Sequence, residues 1–198
     1  MTRVTSGCRP RALGLAAAFV CAAAAVATAQ AATLAERVAL CGACHGEDGN
    51  SRMDKLPSLA GQPAFFILDQ LFLMREGVRK VDAMASFVKD LTDEELDGLS
   101  KHYAALPAKP SDEPVDAALA KKGAEVAAQR RCASCHQPSL AGQDQIPRLA
   151  RQRIDYLIPT LKSYRDAPRP GADTAMSAAI AGATDDDLKA LANYAASK

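Results

Sequence analysis

The chain of 198 residues carries 24 basic and 23 acidic side chains, is 48% hydrophobic and only 5% aromatic, and holds 6 cysteines and no tryptophan. Near-neutral charge without a basic tract excludes the electrostatic footprint of a nucleic-acid binder. A length of this order allows one or two domains, and two would each be small for a self-sufficient core.

The first element is a leader. Arg3, Arg9 and Arg11 precede an apolar run from Ala12 to Val26, which is 15 residues long and short of the roughly 20 that span a bilayer. Ala27-Thr28-Ala29 and Ala29-Gln30-Ala31 are small-x-small cleavage sites, so residues 1–31 read as a signal peptide removed on export. Lipoprotein cleavage at Cys21 is disfavoured by the bulky Val20 before it. Cys8 and Cys21 leave with the leader, and the mature chain keeps 21 basic and 23 acidic residues, net −2.

Thr33-Leu34-Ala35-Glu36 reads as a capping box opening a helix toward Cys41. Cys41-Gly42-Ala43-Cys44-His45 follows, then a loop over residues 46–56 punctuated by Gly49, Asn50 and Pro57. Residues 63–75 form an apolar-faced middle helix, and Thr92-Asp93-Glu94-Glu95 caps a last helix with Leu96, Leu99 and Tyr103 on one face. Three prolines, Pro107, Pro110 and Pro114, then make a semi-stiff linker.

The order repeats beyond it. Residues 115–131 form a helix leading to Cys132-Ala133-Ser134-Cys135-His136, and residues 153–165 form a middle helix that Pro159 either kinks or starts. Thr184-Asp185-Asp186-Asp187 caps a final helix with Leu188, Leu191 and Tyr194. The cysteine motifs lie 91 residues apart, and an offset of 90 pairs Pro57, Leu59, Ala60 and Gln62 with Pro147, Leu149, Ala150 and Gln152. A rival match of Ser-Leu-Ala-Gly-Gln at 58–62 and 139–143 has an offset of 81 and breaks the cysteine register. The chain is therefore a two-copy duplication, with residues 32–108 as the first domain and 109–198 as the second.

Cys-x-x-Cys-His is the attachment signature of c-type haem: each thiol adds to a vinyl group, and the adjoining histidine ligates iron. Cys41, Cys44, Cys132 and Cys135 would hold two haems, with His45 and His136 as axial ligands. A dithiol or a zinc site is the alternative use of such pairs, but either leaves both histidines unexplained. No cysteine of the mature chain falls outside the motifs. The second axial position decides the chemistry, and methionine there favours electron transfer. Met176 is the only methionine after the second motif; it lies eight residues before Thr184, as Met84 lies eight before Thr92. This match selects Met84 over Met53, which is too near His45, and over Met74, which sits in a core pattern. Arg79 and Arg169, paired by the repeat, are candidates for haem propionates, since guanidinium suits carboxylate geometry. His102 stands where the final helix has Tyr194 and reads as a helix-contact residue.

These motifs together resemble a class I cytochrome c domain, and two in tandem resemble the dihaem cytochrome c4 family across essentially the whole mature chain. The resemblance implies an all-α protein of two tandem domains, each wrapped around a covalently attached haem. It implies a periplasmic electron carrier of a respiratory chain, donor to a terminal oxidase or similar acceptor, and not an enzyme. It also implies that Pro57 and Pro147 offer their carbonyls to the histidine ligands. The alternatives are the cytochrome subunit of a periplasmic dehydrogenase, such as a flavin-containing sulfide dehydrogenase, and a haem enzyme or gas sensor with an open iron. Partners would be redox proteins, in membrane complexes or dehydrogenases, with room for peripheral membrane association. Residues 33–106 hold 8 basic and 12 acidic residues and residues 107–198 hold 13 and 11, an asymmetry that would orient different partners at the two ends. The second copy departs from the pattern: it lacks the Gly46 and Gly49 texture, and Arg151 replaces the glycine at Gly61.

Overall fold

The computed structural model describes residues 1–2, 32–167 and 174–198. The expected leader beyond Thr2, with its cleavage sites, and Arg169 lie outside the described residues. Residues 32–198 form one compact unit. No helix among the described residues is long and apolar enough to cross a membrane.

The architecture is all-α. Helices α1 (Leu34–His45), α2 (Ala64–Arg75), α3 (Asp82–Val88) and α4 (Asp93–Ala105) make the first half; α5 (Ala117–Gln129), α6 (Ala133–His136), α7 (Ile154–Asp166), α8 (Thr174–Ile180) and α9 (Asp185–Ala196) make the second. The only extended pairing among the described residues is an isolated bridge between Gln143 and Ile146. Capping boxes form at Thr33, Thr92 and Thr184, where each threonine accepts a backbone N–H three residues on and an acidic side chain reaches back. Asp116 caps α5 through two backbone N–H groups.

The helix expected over residues 115–131 breaks. Arg131 adopts φ 56° and the Cys132 N–H reaches back to the Ala127 carbonyl at 3.0 Å, so the second motif rides on the separate turn α6. Pro159 lies inside α7, five residues past its start. Helices α3 and α8 were not legible as elements: each has 7 residues, below the two turns that a periodic signal needs. Their burial of Val88 and Ile180, each 1% exposed, anchors them.

In the first half, Ile67, Val88, Leu91, Leu96, Leu99 and Tyr103 form one buried cluster. The second half has two, one around Val126, Leu161, Ile180, Leu188 and Leu191 and one around Leu140, Ala150, Leu157, Ala192 and Ala195. At Gly123, α5 crosses α9 so closely that a Cβ would overlap the Ala190 carbonyl.

The local backbone pattern repeats, with its donors at the offset of 90 and the loop acceptors Gly49 and Leu140 at the offset of 91 of the cysteine motifs. Leu59 and Ala60 donate to the Gly49 carbonyl at 2.7 and 2.9 Å, and Leu149 and Ala150 donate to the Leu140 carbonyl at 2.8 and 3.1 Å. Gly61 donates to Tyr103, and Arg151 donates to Ala195. The departures noted in the second copy keep the hydrogen-bond pattern, in a loop one residue shorter from histidine to proline. Gly46, Gly49 and Gly61 have φ of 86°, 70° and 65°, and Gln137, Leu140 and Arg151 have 68°, 57° and 59°.

The halves meet through a reciprocal pair of glutamines. Ser58 N–H donates to Gln152 Oε1 at 2.8 Å and Gln152 Nε2 donates to the Ser58 carbonyl at 2.9 Å. Arg148 N–H donates to Gln62 Oε1 at 2.9 Å and Gln62 Nε2 donates to the Arg148 carbonyl at 3.0 Å. The repeat relates Ser58 to Arg148 and Gln62 to Gln152, so these four bonds mark a local two-fold axis. All four residues are buried, and each amide satisfies backbone groups that would otherwise be stranded.

The linker is tied down at both ends. Asn50 bonds the Pro107 carbonyl and the Lys109 N–H, and Glu113 accepts the Ile154 and Asp155 N–H groups at the open end of α7. Arg153 has a side chain only 3% exposed and pairs with Asp112 at 2.7 Å, Asp155 at 2.9 Å and Asp54 at 3.5 Å. It joins linker, second half and first half.

Candidate haem-binding sites

Cys41 and Cys44 stand three residues apart on α1, so both thiols share one helix face, with His45 closing the helix. His45 is 6% exposed and His136 7%. His45 Nδ1 lies 2.9 Å from the Pro57 carbonyl, and His136 Nδ1 lies 2.9 Å from the Pro147 carbonyl. A carbonyl only accepts, so Nδ1 carries the proton and Nε2 is left with its lone pair. Burial pushes both imidazoles below the ordinary histidine range, against a smaller opposite effect of the proline carbonyls. Both rings are therefore neutral, the form that binds metal.

Burial pushes the Cys41 and Cys132 thiols up, opposite to the activation a redox dithiol needs. Among the described residues no group of three or more His, Cys, Asp or Glu side chains converges as a metal site. Pooling the four cysteines around zinc therefore has no support in the fold.

The second half opens between its two apolar clusters. The cavity is bounded by Cys132, Cys135, His136 and Met176 and otherwise walled mainly by Leu, Ile and Ala side chains. Met176 comes from α8, and in the first half Met84 comes from α3 and packs half-buried on the core. Met74 also packs on that core, from α2, while Met53 is 49% exposed. His102 lies edge-on to Tyr103 and lines a groove with Leu34 and Val38 of α1.

Arg79 donates through Nη1 to Gln70, and its Nε is buried without a protein partner. Arg148 has the same unpaired Nε. Buried donors without acceptors are costly, and carboxylates brought by a cofactor would relieve them. Donor set and tautomer in both halves, the apolar cavity of the second half and the orphaned guanidinium nitrogens fit c-type haem.

A family model for cytochrome c matches residues 120–197, and one for cytochrome c oxidase, cbb3-type, subunit III matches residues 26–102. Cytochrome c4 of Stutzerimonas stutzeri is 33% identical over 178 residues, covering 80% of this chain and 84% of that protein. The chain belongs to the cytochrome c4 family. The crystal structure of reduced recombinant cytochrome c4 from Pseudomonas stutzeri superposes with a TM-score of 0.72 at 31% identity, over 80% of this chain and 93% of that one. The thiosulfate dehydrogenase electron acceptor of Stutzerimonas stutzeri strain A1501 is 32% identical, over 78% of this chain and 76% of that protein. As a member of the cytochrome c4 family the chain is an electron carrier with two haem c groups.

Sequence reasoning passed over three residues of this chain that the fold makes central. Gln62 and Gln152 were visible as a repeat pair, but their exchange across the junction needs the two-fold. Arg148 differs in charge from its counterpart Ser58, within a segment that otherwise changes between copies only from Gly61 to Arg151; that difference was the available signal.

Proposed function

We propose that the protein is an exported dihaem carrier of a respiratory chain, passing electrons to a terminal oxidase or similar acceptor. The convergence of Cys132, Cys135, His136 and Met176 on one apolar cavity carries this reading. Cys41 and Cys44 would hold the first haem and Cys132 and Cys135 the second, with His45 and Met84, and His136 and Met176, as the residues that would ligate the two irons. When bound, the haems supply a reversible one-electron couple at each iron. The protein's work is to hold that couple. Pro57 and Pro147 fix ring orientation and tautomer through the Nδ1 bonds. The methionine thioethers would complete the ligation and favour the reduced state, and the apolar walls would exclude water. Arg79 would contact a propionate of the first haem through its unpaired Nε, and Arg169 is proposed for the second. The domain boundary lies near residue 109, and cleavage of residues 1–31 delivers the chain to the periplasm, with peripheral docking on membrane complexes.

Met84→Ala and Met176→Ala test the ligand assignment. Each should remove one of two sulfur-to-iron charge-transfer bands in the ferric spectrum and lower the potential of that haem alone. Retention of both bands in either variant would overturn the assignment.

The similarity to a thiosulfate dehydrogenase electron acceptor favours a second reading, in which the carrier takes its electrons from a periplasmic dehydrogenase of sulfur compounds. Stopped-flow reduction by such a dehydrogenase, compared with oxidation by a terminal oxidase, separates the two. A partner dependence on opposite halves would show as rates of different ionic-strength slope.

A further inference from the structure

Among the described residues, Arg148 is a buried cation without an anion. The residue is 5% exposed. Its Nη2 donates to the Ala60 carbonyl at 2.8 Å, its Nη1 donates to the Ala150 carbonyl, and its Nε is buried without a protein partner. Among the described residues no carboxylate forms an ion pair with it, whereas Arg153 nearby in sequence has four. Burial and the neighbouring Arg151 bring its pKa down to about 10, which still leaves it charged at neutral pH. A guanidinium enclosed in this way is costly unless an anion accompanies it.

Its position says which anion. Ala60 and Ala150 are related by the repeat, so a guanidinium bonded to both carbonyls stands on the local two-fold axis. Both carbonyls belong to the loops whose Pro57 and Pro147 hold the two histidines. The counterpart of Arg148 across the axis is Ser58, so this position supplies one cation, not two. Each haem c carries two propionate carboxylates.

We propose that Arg148 is a carboxylate-binding residue shared by the two haems, taking a propionate from each side of the junction and raising both reduction potentials together. A fixed positive charge favours the less positive, reduced iron, and a forked guanidinium is suited to carboxylate oxygens. The proposal rests on the two haems of the family and is independent of which partner the carrier serves.

The test is a spectroelectrochemical titration of the fully loaded protein, with the haems distinguished by their hyperfine-shifted methyl resonances. Haem content of two per chain and both methionine bands are checked first, so that a failed ligand assignment is recognised separately. In Arg148→Gln both potentials should fall together, and Arg148→Lys, which keeps the charge but loses the fork, should restore part of the fall. A fall in one potential alone, or in neither, overturns the proposal. If Arg148→Gln does not take up haem, Arg148→Lys decides by the same criterion, common shift or not. A free anion at Arg148 is the other source of the same chemistry. It would make the parent's potentials depend on chloride or phosphate at fixed ionic strength, and that result also overturns the proposal.

Discussion

At Gln137 the backbone has φ 68° and ψ 158°, a region that costs a non-glycine residue about 1–3 kcal/mol. Its counterpart Gly46, at φ 86° and ψ 137°, meets the same demand freely. Both residues follow the haem-motif histidine, so the loop must turn there whatever the side chain. Gln137→Gly should therefore stabilise the second half by about 1 kcal/mol, read as a shift in the denaturation midpoint with haem content unchanged. Asp48 shows a different residue-scale effect. The Lys109 side chain, then the Asn50 N–H, hold its carboxyl down at about 2, below the ordinary 3.8. Because the folded value is depressed, this tie contributes above roughly pH 4 and is lost as pH falls toward 2. Exchange protection of the Lys109 amide should fall through that window. Asp48→Asn should flatten the profile.

Element by element, the crossing of α5 and α9 is the tightest helix joint at a glycine among the described residues. Gly123 brings the α5 backbone against Ala190 and Tyr194, and an added methyl has nowhere to go because backbone, not a flexible side chain, faces it. Gly123→Ala should cost about 1–3 kcal/mol, the usual cost of overpacking, seen as a lowered unfolding midpoint of the second half. α1 and α4 carry a milder version, where Gly98 faces the flexible Leu34 side chain. Capping explains why the elements flanking the sites were legible: Thr33, Thr92 and Thr184 each carry an acid three residues later, and all three boxes form. The short α3 and α8 hold the candidate methionines but have no such signature, so Met84 and Met176 were reached through spacing and not through structure.

For the whole molecule, the junction between the halves is polar. The glutamine exchange and Arg153 hold it, and Arg153 alone reaches Asp54, Asp112 and Asp155. Arg153→Met should destabilise by about 2–3 kcal/mol, the range for hydrogen bonds to a charged group. It should also split a single unfolding transition into two by releasing one half from the other. Calorimetry of the haem-loaded protein reads both, and a single undisplaced transition would show that the glutamines suffice.

The residues themselves determined the chemistry. Two Cys-x-x-Cys-His motifs name the cofactor without reference to any fold, because the attachment reaction needs thiols and a ligand at that local spacing. The capping boxes and the offset of 90 likewise act over short distances along the chain, so all-α duplication was readable. What only the tertiary structure decided is long-range. The Nδ1 bonds cross 11 and 12 residues of loop, and the Gln62–Arg148 and Ser58–Gln152 pairs span 86 and 94 residues. In sequence Arg148 is marked only by its difference from its counterpart Ser58. It becomes a buried, anionless guanidinium only when the two halves close around it, since burial and partnership depend on the packing of both copies and leave no mark in either one.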